Sequence, residues 1–129
     1  MSRKTAFLFL LAVLLFSGCG KEKFQARYHL YKAEQIFWEA NYHLRSKKVP
    51  FEQRKPFFVK ACREYLRAFE LDNTVFSADK IEEASQSCAS ADNREAASNL
   101  DEFYQLYCQD HPKECEYGFM PSNPELSEF

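Results

Sequence analysis

Five cysteines and three histidines carry most of the chemistry open to this chain of 129 residues. Cys108-x2-His111-x3-Cys115 contains donors that a zinc ion accepts, and Cys88 would complete a four-ligand set. The irregular spacing weighs against such a site, and no metal is expected. His29 and His43 stand fourteen residues apart. That separation brings them to nearly the same face of a helix with 3.6 residues per turn, where they read as surface or packing residues rather than a catalytic pair. The adjacent carboxylates Glu82-Glu83 and Asp101-Glu102 belong to solvated helix faces more often than to acid/base pairs. Gly-x-Ser-x-Gly, His-Glu-x-x-His and Cys-x-x-Cys-His are absent. Glycine occurs only at positions 18, 20 and 118, too sparsely for a phosphate-cradling loop. The chain therefore reads as a non-enzyme with no catalytic residue and no cofactor.

The elements that would position these groups begin with a basic start, Met1-Ser2-Arg3-Lys4-Thr5, followed by an uncharged apolar run from Ala6 to Phe16. Eleven residues fall short of the roughly 20 that a helix needs to cross a bilayer, but suit a signal peptide, whose apolar region runs about 7 to 15 residues. The run closes in Leu15-Phe16-Ser17-Gly18-Cys19-Gly20, which resembles the lipobox of bacterial lipoproteins, with Phe16 where leucine is usual. The resemblance implies removal of residues 1–18, lipidation of Cys19 and a tether over 19–21, ahead of a domain over 22–116 whose spacing, described below, reads as helical. Gly20 stands where an aspartate would resemble an inner-membrane retention signal, so the implied location is the outer membrane, lipid-anchored and facing the periplasm. An ordinary signal peptide or an uncleaved anchor is the alternative.

A chain shortened to 111 residues supports one modest domain. Its charge is divided: residues 21–67 hold 12 Lys and Arg against 5 Asp and Glu, whereas residues 68–129 hold 3 against 14. The basic half lies next to the lipid, and basic residues near an anionic bilayer surface are each attracted by about 1 kcal/mol. Either the domain rests its first helix on the membrane or two solvated faces simply differ in charge. An export signal and an acidic total both exclude nucleic acid as a partner.

Spacing predicts four helices and an all-α fold. Lys21 to Lys48 carries one stripe at Phe24, Tyr28, Tyr31, Trp38 and Tyr42, and a second at Leu30, Ala33, Phe37, Ala40 and Leu44. Taken as adjacent, the two form a wide apolar face that other helices must cover. Val49 to Pro56 breaks the chain, with Pro56 opening a second helix to Leu71. A third helix runs from Thr74 to Ala91 with Phe76, Ile81, Ala84 and Cys88 inward, and Asp92-x2-Glu95 is a capping box for a fourth, ending near Gln109. Residues 117–129 read as an extended tail whose Tyr117, Phe119, Met120, Leu126 and Phe129 could dock on this domain or on a partner.

Ala61-x3-Tyr65-x2-Ala68 ahead of Asn73 resembles the second helix of a tetratricopeptide repeat, and Leu100-x3-Tyr104-x2-Tyr107-x4-Pro112 echoes it thirty-nine residues later. The resemblance implies two stacked helical hairpins; a plain four-helix bundle is the alternative. With Cys19 lipidated, four cysteines remain in an oxidising compartment. Four cysteines allow three pairings; Cys62 lies eleven residues before Asn73 and Cys88 fifteen after it, similar heights in an antiparallel hairpin, so the expected pairing joins Cys62 with Cys88 and Cys108 with Cys115 around Pro112. The expected function is a membrane-tethered interaction or scaffold lipoprotein of an envelope assembly, secretion or pilus machine, binding unidentified envelope proteins in a groove lined by Tyr28, Tyr31, Trp38 and Tyr42. A carrier of an apolar ligand or lipid is the alternative, suggested by the many Phe and Tyr residues.

Overall fold

Helices make up most of the computed structural model, which describes residues 3–116, with side chains from Gly20 onward. The tail and its five apolar anchors lie outside the described residues, as do the side chains of the lipobox up to Cys19. Helix α1 spans Arg3–Trp38 rather than starting at Lys21. The Leu- and Ala-rich run before the cysteine is made of strong helix formers, and no proline interrupts it.

The two stripes of α1 are not adjacent. Successive helical residues turn by about 100°, so an offset of two residues places the stripes on opposite sides. Ala26, Leu30, Ala33, Phe37 and Ala40 are buried, while Phe24, Tyr28, Tyr31, Trp38 and Tyr42 are exposed. After Trp38 the helix widens into a π turn over Glu39–His43 and closes with Leu44–Ser46. The wider turn lets consecutive residues Ala40 and Asn41 both face inward. The end is sealed by Lys48 in the left-handed region (φ 61°), with Lys48 N–H donating to Arg45 O at 2.9 Å and Val49 N–H to Leu44 O at 3.0 Å.

Helix α2, Phe51–Leu71, starts five residues before Pro56, which sits inside it. Tertiary contacts hold this first segment against the proline's missing N–H: the Phe51 ring lies 5.9 Å from that of Phe58, and Arg54 is buried. A 3₁₀ turn, Asn73–Val75, then replaces the expected start of the third helix at Thr74, because Asp72 Oδ1 accepts from both the backbone N–H (3.0 Å) and hydroxyl (2.6 Å) of Thr74. Helix α3 covers Ala78–Ser90 and α4 covers Arg94–Asp110. The cap of α4 is Asn93, not Asp92: its Oδ1 accepts from Ala96 N–H at 3.2 Å. Asp92 instead takes the left-handed position that ends α3 (φ 62°), with Asn93 N–H donating to Cys88 O at 2.9 Å.

The helices pack in order, α1 on α2, α2 on α3 and α3 on α4, around one core that includes Phe37, Phe58, Tyr65, Phe76, Ile81 and Leu100. Ala61, Tyr65 and Ala68 on α2 are fully buried, the two alanines giving neighbouring helices room to approach. Helix α3 is lined with small buried residues, Ala84, Ser85, Ser87 and Cys88, all at 0% exposure, and Ser85 turns to α4, its hydroxyl donating to Ala97 O at 3.3 Å. Cys62 and Cys88 are joined across the α2–α3 contact (S–S 2.06 Å), and Cys108 and Cys115 are joined at the end of α4 (2.01 Å).

Candidate functional site

Four exposed aromatics stand on the outer face of α1, opposite the stripe that packs on α2. Phe24 is 73% exposed, Tyr28 55%, Tyr31 62% and Trp38 55%. Exposed Gln35 fills the gap in the same row, so positions 24, 28, 31, 35 and 38 alternate steps of four and three. This is the 3.5-residue period of a coiled-coil seam. Soluble chains rarely leave a contiguous row of large apolar rings in water without using it.

The expected groove forms at one end of this row only. Trp38 and Tyr42, with Phe37 behind them, wall a depression of about 400 Å³ whose other side is Glu34, Lys80 and Glu83. Tyr28 and Tyr31 do not line it; they project from the ridge. The π turn brings Tyr42 into it, since it rotates the residues beyond it and sets the Tyr42 ring 6.4 Å from that of Phe37. Trp38 stacks on His43 with ring centres 6.0 Å apart, and Lys32 Nζ lies 5.8 Å over the Tyr28 ring.

Beneath the groove runs a polar chain through three helices. Lys80 on α3 bridges Glu34 on α1 at 3.4 Å and Glu83 at 3.2 Å, and the buried Tyr65 hydroxyl on α2 donates to Glu83 Oε2 at 3.1 Å. Burial lowers the Lys80 pKa, but Glu83 and Glu34 outweigh it and the net shift is upward. Burial first, then the neighbouring Glu83 carboxylate, drives the Tyr65 hydroxyl far above the usual phenol range, so it remains a donor. These groups tie α1 and α2 to α3, and Glu34, Lys80 and Glu83 hold the groove's second wall in place.

His29 and His43 do not meet: His29 Nδ1 lies 2.5 Å from Glu64 on α2, and His43 Nδ1 lies 2.9 Å from Glu39. Cys88 is bonded to Cys62, so it does not join Cys108, His111 and Cys115 as a ligand; no metal-binding cluster occurs among the described residues. Of the paired carboxylates, Glu83 accepts from Tyr65, and Asp101 accepts from the buried Ser85 hydroxyl at 2.5 Å.

Arg54 is a buried charged residue that spacing does not reveal. Only 2% exposed, it donates from Nε to Val49 O at 3.1 Å and from Nη1 to Ala40 O at 3.2 Å, tying the end of α1 to the start of α2. Its place among charged neighbours in a Pro-bounded stretch gave no signal of burial. Among the described residues no helix is long and apolar enough to cross a membrane. No family model, curated protein or solved structure matches the chain.

Proposed function

We propose that this chain is a lipid-anchored interaction protein of the bacterial cell envelope, tethered through Cys19 and holding an envelope partner on the outer face of α1. The observation that carries the reading is the exposed row Phe24, Tyr28, Tyr31 and Trp38. Tyrosine and tryptophan are the side chains that most often anchor protein contacts, because each offers a large rigid apolar area with a polar handle. The lipobox-like hexapeptide supplies the location, and the fully buried Ala61, Tyr65 and Ala68 agree with a repeat-like stack that leaves its first helix to a partner.

The test is crosslinking and pull-down from native membranes with wild type, Tyr31→Ser plus Trp38→Ser, and Cys19→Ala. A defined envelope protein captured by wild type and reduced at least tenfold by the double substitution is expected, together with release of Cys19→Ala from the membrane fraction. Equal capture by the double variant would remove the partner face. A Cys19→Ala chain still held in the membrane would remove the lipid tether.

A further inference from the structure

The groove at the Trp38 end of the row holds more acid than base. Its charged lining is Glu34, Lys80 and Glu83, two carboxylates to one ammonium. Lys80 is committed chiefly to Glu83, whose two oxygens lie 3.4 and 3.2 Å from Nζ and whose Oε2 also accepts from Tyr65. Glu34 meets the same Nζ only through Oε1, at 3.4 Å, and its Oε2 makes no bond among the described residues. His43, stacked on Trp38, faces Glu39 at 2.9 Å and brings no surplus of positive charge. Glu34 is therefore a carboxylate in the groove, 28% exposed, that the fold leaves incompletely matched.

The opposite wall is aromatic, with Trp38 and Tyr42 each more than half exposed and Phe37 behind them. A cation within about 6 Å of a ring face is attracted by the ring quadrupole, and arginine is found there more often than lysine. The fold makes this contact twice already: Lys32 Nζ lies 5.8 Å over Tyr28, and Arg54 Cζ lies 5.7 Å over Phe51. An anionic group entering the groove would be repelled by Glu34. A wholly apolar one would strip water from that carboxylate and return no hydrogen bond. A long basic side chain does neither, because its methylenes cover the rings while its charged head reaches the carboxylate. Arginine suits the place better than lysine, since the planar guanidinium both stacks on an aromatic face and pairs with a carboxylate. A depression of about 400 Å³ has room for one such residue.

We infer that the groove receives an arginine side chain of the envelope partner, its stem on Trp38 and Tyr42 and its guanidinium on Glu34. The inference rests on the interaction reading above and names the chemistry by which the partner is recognised at this end of the row. Trp38, the single tryptophan, lines the groove and reports its occupancy. The full chain in phosphatidylcholine nanodiscs would be titrated with two nine-residue peptides that lack tryptophan and differ only at the centre. One carries arginine and the other citrulline, which keeps the shape of the guanidinium without its charge. The expected result is a change in Trp38 emission with at least fivefold tighter binding of the arginine peptide, and a preference below twofold in Glu34→Gln. Lys80→Gln removes the ammonium from both carboxylates and should tighten arginine binding beyond wild type, a gain that a damaged groove would not produce.

Binding of neither peptide, equal binding of both, an unchanged preference in Glu34→Gln, or no gain in Lys80→Gln would overturn the inference. So would free arginine amide binding as tightly as the peptide, which would make this a site for a small cation. A Glu34-dependent dimer in sedimentation equilibrium would overturn it too, by making the cation a second copy's own. Native-membrane capture that is lost in Tyr31→Ser plus Trp38→Ser but unchanged in Glu34→Gln would leave the envelope role standing and sink this inference alone.

Discussion

Arg54 and Tyr65 are polar groups that the core keeps only because their bonds are made. A guanidinium at 2% exposure that donates to Val49 O and Ala40 O cannot be truncated cheaply, since hydrogen bonds from charged groups contribute about 1.5–3 kcal/mol each and the stranded carbonyls add to the loss. Arg54→Met is expected to lower urea stability by about 2–4 kcal/mol. Tyr65 yields a pH prediction. Its proton is retained in the folded chain far above the usual phenol pKa of about 10 but is released on unfolding, so above about pH 10 the unfolded state binds fewer protons and stability falls as pH rises. Tyr107, raised to about 12 by burial and by its bond to Glu114, acts in the same direction. Urea melts between pH 8 and 11 should show this alkaline loss, shallower in Tyr65→Phe; an unchanged slope would contradict the buried Tyr65–Glu83 bond.

Among elements, α1 shows how far spacing alone can reach. Both of its stripes were legible as three-and-four patterns, yet their assignment to one covered face was wrong, and the angle of about 200° between them was available from the sequence. Helix α2 chose between them for a physical reason: Ala26, Ala33 and Ala40 let it approach closely, whereas a row of Tyr and Trp would hold it off. Exposed residues contribute little to folding, so Tyr31→Ser with Trp38→Ser should change urea stability by no more than about 0.5 kcal/mol per site while abolishing partner capture. Asn93→Ala, in contrast, removes the acceptor for Ala96 N–H and should lower the melting midpoint by an amount equivalent to about 1 kcal/mol. The observed helix starts depart from the expected ones for three separate reasons. Pro56, Thr74 and Asp92 all carry strong local signals, but packing at Phe51, the Asp72–Thr74 bonds and the α3 terminus overrode them.

At the scale of the molecule, the two disulfides differ in what they constrain. Cys62–Cys88 closes 26 residues between buried positions and should contribute about 3.5 kcal/mol through the unfolded chain, against about 2 kcal/mol for the 7-residue closure of Cys108–Cys115. Replacing each pair with alanine and comparing denaturation midpoints tests that order. By itself the sequence determined the all-α class, the four helices and the inward Ile81, Ala84 and Cys88 of α3, and it pointed to one of three cysteine pairings, because helical periodicity and loop length are local properties written in spacing. Tertiary structure decided which stripe of α1 was buried, that Arg54 was interior, that the α1 groove took in Trp38 and Tyr42 but not Tyr28 and Tyr31, and that Glu34, Lys80, Glu83 and Tyr65 joined across three helices. Those outcomes depend on which surfaces approach closely enough to exclude water, and that proximity is set by helices far apart in the chain.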